Sequence, residues 1–197
     1  MTEIQSITTY FEKAGRENTV RTLQLAKNRS DELGIDTILV ASTTGATGAK
    51  AVDVFKKKRL IVVSHVCGYD KPNEQELTQE NRQKIECKGA TILTAQHTMG
   101  GLNRAIRFNM QTYQVDEIIS NTLRLFGQGC KVVLELAMMA TDAGLIQAGT
   151  PVVAVGGSHR GADFAAVVNP ANSFRFYEIG ILEFICMPSM KHPLIKK

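Results

Sequence analysis

The sequence has little that would place it among metal-binding, disulfide-bonded or membrane-spanning proteins. Its four histidines show no HxxxH or HxxE spacing, so no metal site is indicated. No signal peptide is predicted, and no apolar run is long enough to span a bilayer. The four cysteines form neither a CxxC pair nor the spacing of a disulfide framework: Cys67, Cys87, Cys130 and Cys186. We therefore expect a cytoplasmic protein with no membrane partner, whose reduced cysteines mainly serve as small core residues.

An excess of charge of one sign is also lacking. There are 23 Lys and Arg residues and 19 Asp and Glu residues, which gives a formal net charge of +4. This charge is too mild and too scattered to indicate a nucleic-acid partner. Hydrophobic residues make up 44% of the 197 residues and charged residues 21%, which is ordinary for a globular protein with a well-filled core. We expect one domain over residues 1–197.

Short apolar runs rich in branched residues alternate with helical patterns along the chain. Continuous apolarity is typical of strands that are covered on both faces, and the four clearest runs are residues 37–41, 60–64, 90–94 and 152–155. Helices are predicted between the first three runs and before them, over about 18–33, 48–57 and 78–88. Strands and helices that alternate in this way form right-handed crossovers and a parallel sheet.

The second half of the sequence is less regular. Residues 97–114 are expected to be an irregular connection of unusual length, which is typical of a functional lid. Asp116 is expected to cap a helix that runs to Phe126, and a deeply buried helix is expected over about 131–146. Residues 165–168 and a stretch near 179–186 are predicted as edge strands.

The strongest local signal is a loop of hydroxyls and glycines between the first predicted strand and the next helix. The start of a helix exposes unpaired N–H groups and the positive end of its dipole, and both suit an anion. The loop is neither a Walker A sequence nor a GxGxxG fingerprint. We predict a phosphate site rather than a simple helix cap, formed by Ser42, Thr43, Thr44, Gly45, Ala46, Thr47 and Gly48, with Lys50 nearby.

A second glycine-rich loop follows the fourth predicted strand. Arg160 could offset phosphate charge or stack on a ring, and Asp163 could accept hydrogen bonds from a ligand. A solvated hairpin turn is the alternative. If this strand neighbours the first one, the two loops face each other across the sheet edge where ligands bind. The candidate residues here are Gly156, Gly157, Ser158, Arg160, Gly161, Ala162 and Asp163.

Three further loops are expected at the same edge. Gln96 and His97 could bind the edge of a ligand ring or transfer a proton, although a single histidine is more often structural. The other candidates are His65 and Gly68 after the second strand, and Gly127 and Gly129 before the buried helix.

The segment from Ile38 to Gly45, which continues through Lys50 to the strand at 60–64, resembles the C-terminal α/β domain of pyruvate kinase. The whole chain is similar to a family of stand-alone, mostly archaeal proteins related to that domain. The shared motifs are residues 42–48, 125–129, 142–146, 161–163 and 169–173. The resemblance extends from about Tyr10 to Pro188.

The resemblance implies a three-layer α/β/α sandwich whose mainly parallel sheet has the strand order 3-2-1-4-5, with strand 5 antiparallel. It also implies FMN as a cofactor, whereas the residues themselves indicate only a phosphate-bearing small molecule. We therefore expect the flavin phosphate on residues 42–48, with Lys50 or Arg160 supplying charge. The ring would lie among His65, Gln96, His97 and residues 156–163. The resemblance further makes a homo-oligomer plausible.

Enzyme status stays open at this point. If the chain is an enzyme, flavin-mediated electron or hydride transfer is the natural reaction class. The pyruvate kinase barrel is absent, so kinase activity is not implied. One alternative is a regulatory module that binds a sugar phosphate or a nucleotide. Another is a phosphate-transfer or hydrolase enzyme that uses His97 or His159, but no nucleophile–base pair is visible in the sequence.

Overall fold

The computed structural model describes residues 3–189. Its strands are β1 (Thr9–Phe11), β2 (Thr37–Ala41), β3 (Arg59–Ser64), β4 (Thr91–Thr94), β5 (Val152–Gly156), β6 (Phe164–Asn169) and β7 (Gly180–Pro188). Its helices are α1 (Thr19–Glu32), α2 (Ala46–Val54), α3 (Gln79–Glu86), α4 (Gly101–Met110), α5 (Val115–Leu123) and α6 (Gln128–Asp142). Short 3-10 helices cover Arg16–Asn18, Arg124–Phe126 and Ser173–Glu178.

The strands form one sheet in the order β1-β7-β6-β5-β2-β3-β4. Strands β2 to β5 are parallel to their neighbours among themselves, and β6 is antiparallel to both β5 and β7. The predicted order 3-2-1-4-5 corresponds to β4-β3-β2-β5-β6 and is confirmed, including the antiparallel fifth strand. The prediction that the last two strands are edges was wrong, because β7 covers β6 and β1 pairs with β7.

Apolar side chains of the central strands alternate between two cores, which explains why these strands show continuous apolarity. In β2, Ile38 and Val40 pack on one side with residues of α1, α2 and α3, while Leu39 packs on the other side with α6. In β3, Val62 and Ile61 divide in the same way. The sheet therefore lies between two helical layers, as the predicted three-layer sandwich requires.

The segment predicted as an irregular connection contains a helix. Helix α4 has no buried residue, and its apolar residues Leu102, Phe108 and Met110 are exposed. Its sequence does carry a helical pattern, with Leu102, Ala105 and Ile106 at positions i, i+3 and i+4, so the prediction of an irregular connection was wrong although the signal was present. Self-association through such exposed residues stays a prediction.

Two helix starts also differ from the sequence prediction. Helix α6 begins at Gln128, directly after Gly127, rather than near residue 131. Asp116 lies in the first turn of α5, and Gln114 takes the capping position. The buried part of α6 dominated its apolar pattern and hid its polar first turn.

The cysteines divide into two kinds. Cys130 and Cys186 are buried, as expected of small core residues, and burial raises the pKa of their thiols to about 11 and about 12. Cys67 and Cys87 are exposed, so the expectation of a core position fails for them. Among residues 3–189, no helix is both long enough and apolar enough to cross a bilayer.

Candidate functional site

The loop between β2 and α2 forms a cup whose backbone donors face outward. The Ser42 hydroxyl oxygen accepts a hydrogen bond from the N–H of Gly48 at 3.0 Å, and the N–H of Ala49 donates to the Gly45 carbonyl. The N–H groups of Ala46 and Thr47, at the first positions of α2, have no acceptor among residues 3–189. Both residues line a cleft. We call residues 42–48 the phosphate cup.

Packing requires both glycines of the phosphate cup. A Cβ atom at Gly48 would lie 2.7 Å from Cγ1 of Val62, and one at Gly45 would lie 2.5 Å from Cδ1 of Leu77. Gly45 also has a φ of 89°, which favours glycine. Close packing against β3 and the segment before α3 therefore fixes the start of α2. The contact of these glycines with a phosphate stays a prediction.

The loop after β5 forms the opposite wall of the cleft, and Asp163 holds it in shape. One Asp163 carboxylate oxygen accepts from the N–H and the hydroxyl of Ser158 at 3.0 and 3.2 Å, and the other accepts from Gly15 N–H at 2.9 Å. Burial raises the pKa of this carboxyl group. Because the protein occupies both oxygens and the residue is 1% exposed, Asp163 positions the wall instead of meeting a ligand.

This wall packs against the start of α1. Ala162 donates its N–H to the Thr19 hydroxyl at 3.0 Å, and a Cβ atom at Gly161 would lie 2.6 Å from the Cα atom of Arg16. These contacts bring Arg16 into the same cleft lining as Arg160. No sequence pattern indicated this contact, because the segment before α1 is far from residue 160 along the chain.

The cleft between the two walls has a volume of about 960 Å³. From the segment around the phosphate cup, its lining includes the predicted residues Ser42, Thr43, Thr44, Ala46, Thr47 and Lys50. From later loops, it includes the predicted residues His65, Gly157, Ser158, Arg160 and Gly161, together with His159. The expectation that the two loops share one crevice is met by this geometry.

The remaining predicted residues do not line this cleft. Gln96 and His97 line a separate cavity of about 470 Å³. Neither lining includes Gly45, Gly48, Gly68, Gly127, Gly129, Gly156, Ala162 or Asp163. Gly129 is required by packing, since a Cβ atom there would lie 2.2 Å from Cβ of Phe164.

Several residues that line the cleft were missed by sequence reasoning. They are Arg16, Glu17, Tyr69, Glu76 and Gln128, with the smaller or apolar Thr19, Val20, Ala41 and Val132. Gln128 lies within the motif 125–129, whose Gly127 and Gly129 were already predicted at the carboxyl edge of the sheet. Glu76 and Tyr69 lie in the long polar loop between β3 and α3, whose length was their only available signal.

The electrostatics of the cleft favour an anion. Three cations, Arg16, Lys50 and Arg160, line it together with two carboxylates, Glu17 and Glu76. The N-terminal ends of α2 and α6 both reach the lining, through Ala46 and Gln128. Helix N-termini add partial positive charge to that of the side chains.

His65 is held between a carboxylate and a hydroxyl within this cleft. Its Nδ1 lies 2.6 Å from a carboxylate oxygen of Glu76, and its Nε2 lies 3.3 Å from the hydroxyl oxygen of Thr43. Burial lowers the pKa of His65 although the hydrogen bond with Glu76 acts in the opposite direction. The lowered pKa favours the neutral imidazole, and its hydrogen-bond partners assign the tautomer in which Nδ1–H donates to Glu76 and Nε2 accepts from Thr43.

His97 has a different environment. Its Nε2 accepts from the N–H of Val66 at 3.4 Å, and its Nδ1 lies 3.5 Å from Glu135. Glu135 is buried, pairs with Lys131 and accepts from the N–H of Met99 at 3.0 Å. Burial opposes the charge of Glu135, but hydrogen bonding from His97 and the nearby Lys131 outweigh it and lower the pKa to about 2. His97 thus joins the loops after β3 and β4.

Comparison with known proteins agrees with the fold. Residues 21–168 match the family described as "Pyruvate kinase, alpha/beta domain". A pyruvate kinase from Cryptosporidium parvum, solved in complex with ADP, is 16% identical with a TM-score of 0.41, and the match covers 82% of this chain and 25% of that chain. Two further structures of pyruvate kinase from this organism are 15% and 16% identical, with TM-scores of 0.37 and 0.34; the matches cover 74% and 69% of this chain and 22% and 20% of theirs.

The chain therefore spans no more than about a quarter of the length of these pyruvate kinases. The family match, in contrast, includes β2 to β5, most of β6 and all of the phosphate cup. It also includes both walls of the cleft except the segment around Arg16. On the extent of this match, the chain belongs to the pyruvate kinase alpha/beta domain family.

Proposed function

We propose that this chain binds FMN in the cleft, with the flavin phosphate at the phosphate cup. The observation that carries the proposal is that the N–H groups of Ala46 and Thr47, which have no acceptor among residues 3–189, belong to residues that line one cleft with Lys50, Arg16 and Arg160. Backbone donors at a helix start, combined with cations, are the usual means of binding a phosphate dianion. The cleft volume of about 960 Å³ also lies within the range of ordinary cofactor sites, about 300–1,000 Å³.

The ring of the flavin has suitable surfaces in the same cleft. Tyr69 is 41% exposed, and Val20 and Val132 add apolar lining. Gln96 and His97 line a neighbouring cavity. The His97 ring lies 5.3 Å from that of His65 and 5.2 Å from that of Tyr69, so His97 stands at the border of the proposed ring site. When bound, the flavin supplies electron or hydride transfer, so an enzymatic form of this protein would be a flavin-dependent oxidoreductase.

A second candidate is a regulatory module for a sugar phosphate or a nucleotide. The polar groups Glu17, Gln128 and Ser158 in the lining favour it, because they match the hydroxyls of a sugar. The absorbance spectrum of the purified protein separates the two candidates. Flavin absorbance bands in the purified protein support FMN. A colourless protein that does not bind added FMN but binds a sugar phosphate supports the second candidate.

Thr44→Asp tests the position of the phosphate. The Thr44 carbonyl accepts from the N–H of Thr78 and the side-chain amide of Asn81, so the backbone is held without the side chain. A carboxylate in the cup repels a phosphate, and we expect FMN affinity to fall about tenfold or more. Titration of flavin fluorescence measures the change.

Thr44→Asn is the matched control, because it has nearly the same shape as the aspartate without its charge. We expect this variant to keep most of its affinity. Equal affinities of the two variants for FMN would move the phosphate away from the cup.

A further inference from the structure

Three side chains in the cleft form a hydrogen-bonded row that runs from a hydroxyl through an imidazole to a carboxylate. The Thr43 hydroxyl oxygen lies 3.3 Å from His65 Nε2, and His65 Nδ1 lies 2.6 Å from Glu76. All three residues line the cleft. A hydroxyl next to a base that is itself oriented by a third group is the usual arrangement of an activated nucleophile.

We propose that Thr43 is a nucleophile, and His65 its general base, for phosphoryl transfer from a phosphomonoester bound at the phosphate cup. Glu76 is the positioning residue that holds the imidazole with Nε2 toward Thr43. The inference rests on the proposed function, because it requires a phosphate at the cup. It goes further, since it gives the cup a reaction and not only a ligand, and it makes FMN, itself a phosphomonoester, a substrate that is cleaved to riboflavin and inorganic phosphate instead of a retained cofactor.

The position of Thr43 in the fold supports this role. Thr43 stands in the turn between the end of β2 and the start of α2, so its hydroxyl and the free N–H groups of Ala46 and Thr47 belong to one short loop. Those N–H groups, with Lys50 and Arg160, would stabilise the charge on the phosphoryl oxygens during transfer. His97 lacks such a partner, because Val66 N–H and Glu135 engage its two nitrogens.

The reaction has two steps, and water is the only co-reactant. In the first step the Thr43 oxygen bonds to phosphorus, the bond from phosphorus to the ester oxygen breaks, and the Thr43 proton passes to His65 Nε2 and then to the leaving alcohol. In the second step water attacks the phosphothreonine and gives a proton to His65, and the Thr43 oxygen leaves and regains that proton. The sum is phosphomonoester plus water giving alcohol plus inorganic phosphate.

The test uses p-nitrophenyl phosphate and follows the release of p-nitrophenol by the full chain. We expect Thr43→Val to lose activity by about 100-fold or more and Thr43→Ser to keep it, because serine retains the hydroxyl. Thr91→Val is the matched control at an exposed position of β4 and should behave as wild type. Acid quenching should trap phosphothreonine at position 43, detected by mass spectrometry. Unchanged release by Thr43→Val would overturn the proposal.

His65 and Glu76 are tested through the pH profile. The charged or titratable groups that influence His65 are Glu76, His97, Glu135 and, in ring contact, Tyr69. We expect His65→Gln to lose about 100-fold. We expect Glu76→Gln to lose less, about tenfold, and to move the acid limb of the profile to lower pH, because the hydrogen bond that raises the pKa of His65 is weakened. A profile that does not move would overturn the positioning role.

FMN separates failure of this inference from failure of the proposed function. FMN binding is measured by fluorescence in the same samples, and FMN should compete with p-nitrophenyl phosphate. FMN binding without release of p-nitrophenol or of riboflavin would overturn the inference and leave the proposed function standing. If neither compound binds, both proposals fail.

Discussion

Two neighbouring loops at the carboxyl edge of the sheet each present a histidine, and they use it differently. Residues 65–78 follow β3 and carry His65, and residues 95–100 follow β4 and carry His97. The two rings are 5.3 Å apart. His65 contacts a partly exposed carboxylate and a hydroxyl in the large cleft, whereas His97 contacts a backbone N–H and the buried Glu135.

The difference shows that hydrogen-bond partners, and not position at the sheet edge, decide what a histidine can do. The carboxylate partner of His97 also faces Lys131, so the histidine is one part of a buried charge network. Glu76, the carboxylate partner of His65, has a side chain that is 25% exposed. The other ring nitrogen of His65, Nε2, contacts the hydroxyl of Thr43 in the phosphate cup. Stability should therefore depend on the surroundings of His97, and ligand chemistry on the surroundings of His65.

The largest expected effect comes from removing the two carboxylate partners in turn. Glu135→Ala leaves the buried Lys131 without its partner, and we expect a loss of about 3–5 kcal/mol in the free energy of unfolding. Glu76→Ala removes a partly exposed pair, and we expect at most about 1 kcal/mol. Urea unfolding of both variants measures the difference.

Glu135→Gln refines this comparison, because it keeps the shape of the side chain while it removes the charge. Its loss should lie between those of the two alanine variants. Similar losses for Glu135→Ala and Glu76→Ala would break the distinction between the loops.

The second expected effect is a loss of stability at acid pH that arises from Glu135, the carboxylate partner of His97. The pKa of Glu135 is about 2 in the folded chain, below its ordinary value of 4.5. A carboxylate whose pKa is depressed by folding stabilises the fold above its unfolded pKa, and this contribution is lost as pH falls from about 4.5 toward 2. Urea midpoints measured across this range should fall less steeply in Glu135→Gln than in wild type. An equal slope in both proteins would assign the acid dependence to other groups.

The central sheet could be predicted from the sequence because its strands are covered on both faces. Ile38, Leu39 and Val40 show this coverage as one continuous apolar run, which the two cores explain. The outer strand β1 has only three residues and no buried one, so nothing in its composition marked it. Helix α4 is a different case, because its apolar residues Leu102 and Ile106 do recur at helical spacing although none of its residues is buried.

The cleft was only partly predictable, because half of its chemistry depends on tertiary contacts. The phosphate cup is contiguous and showed itself as a cluster of hydroxyls and glycines. Arg16 reaches the cleft only because Asp163 and Ala162 bind the segment before α1. Glu76 meets His65 through the course of a long loop, which no local spacing encodes. The same limit applies to Asp163, whose role as a wall support depends on partners 5 and 148 residues away.

The smallest expected effect is a shift in the titration of His65, and it tests the comparison most directly. Burial holds the pKa of His65 below its ordinary value of 6.5, while the hydrogen bond with Glu76 raises it. Glu76→Gln weakens the raising contribution, so the NMR titration midpoint of the His65 ring should move further down, whereas Glu135→Gln should move it less because Glu135 is a more minor influence. Since an imidazole with a depressed pKa takes up its proton later in the folded chain than in the unfolded one, stability should fall as pH drops below about 6.5. A midpoint that responds more to Glu135→Gln than to Glu76→Gln would show that the two loops share one charge network, and the distinction between the two histidines would then fail.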